Sequence, residues 1–155
     1  MKAVLASVIS LCFCTPALAG SGAWTLGWGQ GTAEAIVENA NGSSVNIYCP
    51  SGQDDRTPGM FVQSKKVTPA LKERVTIQFV VDGKKHPFEF DEIQFLAHTK
   101  DGMQDLVQLQ DALIASRQKS FTIEFPKFNV VETFSLRDAK RTLGGKSTLL
   151  SDCQH

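Results

Sequence analysis

Alternation and helical spacing divide this chain into readable stretches. Ala33 to Glu38 reads as a strand, Asn39-Ala40-Asn41-Gly42 as a turn with the Asn-Gly signature, and Ser43 to Cys49 as the returning strand. In the second strand Val45, Ile47 and Cys49 fall on one face, with Ser44, Asn46 and Tyr48 on the other, so Cys49 is expected to point inward. Pro50 to Gly59 carries two prolines, two glycines and the pair Asp54-Asp55, a loop composition. Strand character resumes at Met60 to Lys66 and is clearest at Arg74 to Val81, where Val75, Ile77, Phe79 and Val81 share a face. Asp82-Gly83 turns into His86 to Phe90, and an extended run follows at Ile93 to His98.

The period changes after Asp101-Gly102. Met103, Leu106, Val107, Gln110, Leu113 and Ile114 recur at spacings of three and four, which predicts an amphipathic helix to about Ser116 with Leu109 widening its apolar stripe. Phe121, Ile123 and Phe125 restore alternation, and extended structure continues from Val130 to Phe134. Ser135-Leu136-Arg137-Asp138 resembles a capping box and predicts a short helix over Leu136 to Leu143, ended by Gly144-Gly145. The expected class is α+β: an antiparallel-rich β-sheet or sandwich with one amphipathic helix, one short C-terminal helix and one disulfide. Residues 20–32, rich in glycine and carrying Trp24 and Trp28, match no regular element and are expected to form an arm ahead of a single domain over 33–155.

The opening residues change the picture of where this domain works. Met1 and Lys2 precede an apolar stretch from Ala3 to Cys14, then Pro16 and Ala17-Leu18-Ala19, the charged, apolar and cleavable order of a secretory signal. The apolar stretch is shorter than the roughly 20 residues a membrane span needs, so no anchor is expected after cleavage. Neither Cys12 after Leu11 nor Cys14 after Phe13 has the small neighbour that lipidation requires. Removing residues 1–19 leaves Cys49 and Cys153, and in an oxidising compartment two thiols read as a bridge. No Cys-x-x-Cys is present, and no basic cluster flanks either thiol to activate it.

Composition adds exclusions. With 42% apolar and 21% charged residues the chain should fold, and 16 basic against 16 acidic residues give no charge basis for binding nucleic acid. Gly144-Gly145-Lys146-Ser147 resembles the end of a phosphate loop but follows a helix instead of a strand, so its amides would not face a phosphate. His86 and His98 lie near Asp82, Glu89, Asp91 and Glu92, yet no His-Glu-x-x-His or close His pair marks a metal site, and exposed strand-end histidines are the expectation. No motif asks for a cofactor.

Phe134-Ser135-Leu136, Ala139 and the terminal Cys153, preceded by Val80-Val81-Asp82-Gly83-Lys84, give the carboxy-terminal half a pattern that resembles small exported bacterial proteins of the invasion-associated locus B type. That resemblance implies a periplasmic or secreted β-rich domain. It supplies no site residue, since the family's paired mid-domain cysteines are absent here.

The functional expectation is therefore an exported, periplasmic or secreted, non-enzymatic binding protein with an envelope or secreted protein partner, an inhibitor and an envelope-associated factor being two subclasses. Trp24, Trp28, Asp54, Asp55 and Arg56 are its candidate contact residues, the other reading of the two tryptophans being that one or both indoles cover a corner of the core. A small hydrolase or metal-dependent enzyme using His86 or His98 is the alternative. A carrier for a small apolar ligand in a cavity lined by Phe79, Phe90, Phe121 and Leu106 is a third reading. Mass spectrometry of protein recovered from its native cell should find a chain starting at Gly20 with both remaining thiols oxidised; an intact Met1, or two free thiols, would contradict export.

Overall fold

The computed structural model describes residues 22–29, 31–50, 57–67 and 73–144. Residues 1–19, expected to be a signal segment, and Asp54, Asp55, Arg56 and Cys153 lie outside the described residues.

Two antiparallel sheets form the body. The first comprises β1 (Thr25–Gly29), β2 (Thr32–Glu38), β3 (Ser44–Pro50), β4 (Gly59–Gln63) and β7 (Gln94–Leu96), in the spatial order β1-β2-β3-β4-β7. The second comprises β5 (Val75–Val81), β6 (Lys84–Phe90), β8 (Ser120–Phe125) and β9 (Val130–Ser135), in the order β6-β5-β8-β9. A helix α1 (Lys100–Ala115) links β7 to β8, and a short helix α2 (Ala139–Leu143) follows β9.

The alternation that marks each strand also selects its buried face. Ala33, Ala35 and Val37 of β2, Val45 and Ile47 of β3, and Met60 and Val62 of β4 are buried, as are Val75, Ile77, Phe79 and Val81 of β5. Phe121, Ile123 and Phe125 of β8 join them, and α1 adds Leu106, Leu109 and Leu113, all in one core. Within it the Phe79 and Phe121 rings lie 6.4 Å apart at 11°. Phe79, Phe90 and Leu106 are fully buried, so packed side chains occupy the region where an apolar ligand was considered.

A polar clasp ties one sheet to the other. The strand period places Glu132 of β9 on the inner face between Val130 and Phe134, and its side chain is 3% exposed. Its Oε2 accepts a hydrogen bond of 3.0 Å from Asn39 Nδ2 in the β2–β3 turn, and its Oε1 accepts one from Ser64 Oγ just beyond β4. Asn39 is occupied at both ends of its amide, because Oδ1 also accepts from the backbone N–H groups of Asn41 and Ser43 at 2.9 and 3.1 Å. A carboxylate can be buried when its lone pairs are met in this way.

Several expectations change. The arm contains a strand: Thr25–Gly29 pairs with the whole front of β2, opposing Thr25 to Ile36 and Gly29 to Thr32. Gly27 and Gly29 hide the period, and a ladder of backbone bonds to β2 supplies what weak propensity does not. Trp24 is a core residue rather than a contact residue. It is fully buried, donates from Nε1 to the Ser135 carbonyl at 3.1 Å, and stacks on Phe121 at 6.2 Å.

The helix α1 begins earlier than its apolar spacing suggests, because Thr99 caps it by accepting from the Gly102 N–H at 3.0 Å. The capping box does not form. Ser135 belongs to β9 and its Oγ accepts from the Arg137 N–H, while α2 starts after Asp138, whose φ of 65° is left-handed and whose side chain makes no cap. The run Ile93 to His98 shortens to Gln94–Leu96, since Glu92 turns the chain at φ 54° and the His98 N–H returns to the Leu96 carbonyl.

Candidate functional site

The outward face of the five-stranded sheet carries a groove of about 450 Å³. Pairing register explains its floor, since directly opposed residues share a face. Glu34 opposes Tyr48, Tyr48 opposes Gly59, and Gly59 opposes Leu96, making one row across β2, β3, β4 and β7. The adjacent row runs Ile36, Asn46, Phe61 and Gln94.

Glycine at position 59 is a packing requirement. A Cβ there would sit 2.2 Å from the Phe95 carbonyl oxygen and 2.7 Å from the Tyr48 hydroxyl, so any side chain would displace the tyrosine or part β4 from β7. With the space open, Tyr48 reaches Gln94, whose Nε2 donates to its hydroxyl at 2.8 Å, and its ring stacks on Phe61 at 5.1 Å and 25°. Burial pushes the Tyr48 hydroxyl above the ordinary tyrosine pKa, and the bond from Gln94 offsets part of that rise.

Polar groups rim this aromatic floor. Glu34 Oε2 accepts from Asn46 Nδ2 at 3.2 Å, and His98 Nδ1 lies 3.2 Å from Thr57 Oγ1. Thr57 and Pro50 line the groove too. A half-apolar concavity with a few directed polar groups can hold a ligand or a partner side chain. Trp28, the other tryptophan singled out, is 58% exposed on β1, opposite Ala33. It does not line the groove.

The two histidines do not converge. His98 is exposed beside this groove, whereas His86 opposes Phe79 on the inner face of β6 and is 7% exposed. The expectation of an exposed strand-end residue therefore fails for His86, because strand alternation from Phe88 and Phe90 carries it inward. Among the described residues no group of three or more His, Cys, Asp or Glu side chains is placed to hold a metal.

A family model described as YfjT matches residues 22–143. The chain belongs to the YfjT family. The matched span runs from just ahead of β1 to the last residue of α2, so it includes every groove residue named above. No curated protein and no solved structure matches this YfjT-family chain.

Two features of the groove lay outside the sequence reading. The strand period puts Tyr48 on the outward face without giving it a role, and the loop composition runs to Gly59. The signal available for both was the polar-side period of β3, which puts Asn46 and Tyr48 beside whatever β4 presents. Glu132 was also legible in principle, as a carboxylate falling in phase with Val130 and Phe134.

Burial and the nearby Lys84 ammonium hold His86 below the ordinary histidine pKa, with Asp105 acting in the opposite direction. Folded protein then keeps this imidazole neutral while the unfolded chain takes up a proton near pH 6.5, so stability should be level above that pH and fall as pH drops through it. Urea midpoints at pH 7.5 and pH 5 should converge in a His86→Leu variant relative to wild type; identical pH losses in both proteins would show that His86 carries none of the effect.

Proposed function

We propose that this YfjT-family chain is an exported, non-enzymatic binding protein, periplasmic or secreted, that engages an envelope or secreted protein partner through the groove over Tyr48 and Phe61. The observation that carries the reading is that groove itself. A stacked aromatic pair is held at fixed height by Gly59 below and Gln94 alongside, on rigid strands instead of a loop. With Tyr48 itself only 9% exposed, the half-buried Phe61 ring is the one that offers apolar area to a partner side chain.

The export component rests on the amino-terminal pattern and on sulfur. Cys49 is fully buried on the inner face of β3, and we assign it to a disulfide. Of the other three cysteines, Cys12 and Cys14 fall in the segment expected to be cleaved, so Cys153 is the partner we assign. The likeness to the invasion-associated locus B type fits the same compartment. No helix among the described residues is long and apolar enough to cross a membrane.

A photo-crosslinking residue placed at Leu96 on the groove, and in parallel at Val131 on the outward side of β9, tests the reading in cells. Adducts with one envelope or secreted protein should form from position 96 and not from position 131. No adduct from position 96, or equal capture from both, would overturn it.

A further inference from the structure

We propose that the partner segment received by this groove is an extended, positively charged stretch of polypeptide. The proposal rests on the binding reading above and adds the chemistry of the occupant.

The groove does not end at Leu96. A second cavity, of about 630 Å³, shares Gln94, Leu96 and His98 with it and continues toward the junction of β6 and β7. The two adjoin through these three residues and have unlike ends. The first end is aromatic, with Tyr48 and Phe61. The second presents the carboxylates of Glu89, Asp91 and Glu92 against the single guanidinium of Arg74.

Among the described residues none of these three carboxylates takes part in an ion pair, and Glu89 has only the Thr76 hydroxyl, which donates to its Oε1. The start of α1 borders the cavity through Thr99 and Gly102, but the Gly102 N–H is already held by Thr99, and Asp101 stands in that first turn. Lys100 and Asp101 are adjacent and balance each other. The excess of negative charge is thus local, in a chain whose total is +0.

This combination selects one occupant. Phosphate-bearing ligands would be repelled by the acidic end, and a wholly apolar ligand would make no use of its charge. The row from Glu34 to Leu96 crosses three inter-strand steps of about 4.8 Å, a path matched by about four extended residues. A peptide with an apolar side chain over Tyr48 and Phe61 and lysine or arginine side chains following it would meet both ends. Because the acidic groups are exposed, they contribute mainly to recognition and encounter rate, and their effect weakens with salt.

Tyr48 is the chain's one tyrosine, so ring-labelled tyrosine gives a single nuclear magnetic resonance signal reporting this site. The full exported chain is titrated with three otherwise identical seven-residue peptides that carry Leu at alternate positions and three Lys, three Gln or three Glu between them. The Lys peptide should shift the Tyr48 signal with affinity about tenfold above the Gln peptide and further above the Glu peptide, with the gap narrowing at high salt. Glu89→Gln combined with Glu92→Gln, both at exposed positions, should bring the Lys peptide to the level of the Gln peptide. Equal shifts from all three peptides, or an unchanged preference in the double variant, would overturn the charge assignment while leaving the groove as a binding site. If no peptide moves the signal, the groove reading falls with it.

Discussion

The buried carboxylate of Glu132 is the constraint around which the two sheets are arranged. It projects from the edge strand β9 into the core and is met there by Asn39 and Ser64, both from the other sheet. A carboxylate taken out of water without partners would cost several kcal/mol, so the fold is acceptable only when the β2–β3 turn and the end of β4 arrive together at β9. Apolar packing alone would permit the sheets to slide over one another. The clasp permits one alignment, the role best attested for buried polar groups elsewhere. Trp24 reinforces it from the neighbouring side, joining the start of β1 to the end of β9 and, through the bond from Thr142 Oγ1 to its carbonyl, to α2.

The rest of the molecule follows from that alignment. Across the four-stranded sheet one inner row reads His86, Phe79, Ile123 and Glu132, with polar groups on both edge strands and apolar groups between them. Inward polar residues on edge strands make alternative pairings costly, because a slipped register would strand a charge or an imidazole. With the inner faces committed to each other, the outward face of the five-stranded sheet carries the groove. There the positions of Glu34, Tyr48, Gly59 and Leu96 are set by backbone register rather than by loops, so the groove inherits the rigidity of the sheet.

Much of the fold was legible because its signals are periodic. Val75, Ile77, Phe79 and Val81 announce both a strand and its buried face, and the helix α1 shows its stripe through Leu106, Leu109 and Leu113. The strand β1 was not legible, since Gly27 and Gly29 carry no side chain to show a period and the element exists through its pairing with β2. His86 departs from the exposed position expected of a histidine next to a turn, because alternation from Phe88 and Phe90 decides its direction. The groove was the least legible part. It depends on three strands separated in sequence placing Tyr48, Gly59 and Gln94 side by side, a coincidence of register that no local window contains.

The alignment of the sheets by the clasp is tested most directly by a double-mutant cycle on Asn39→Ala and Glu132→Ala, read as unfolding free energy in denaturant. The two side chains should be coupled by about 1 to 3 kcal/mol, with each single variant losing more than an exposed substitution would. Additive losses, with coupling near zero, would mean that the sheets hold their arrangement without this carboxylate and would contradict the account.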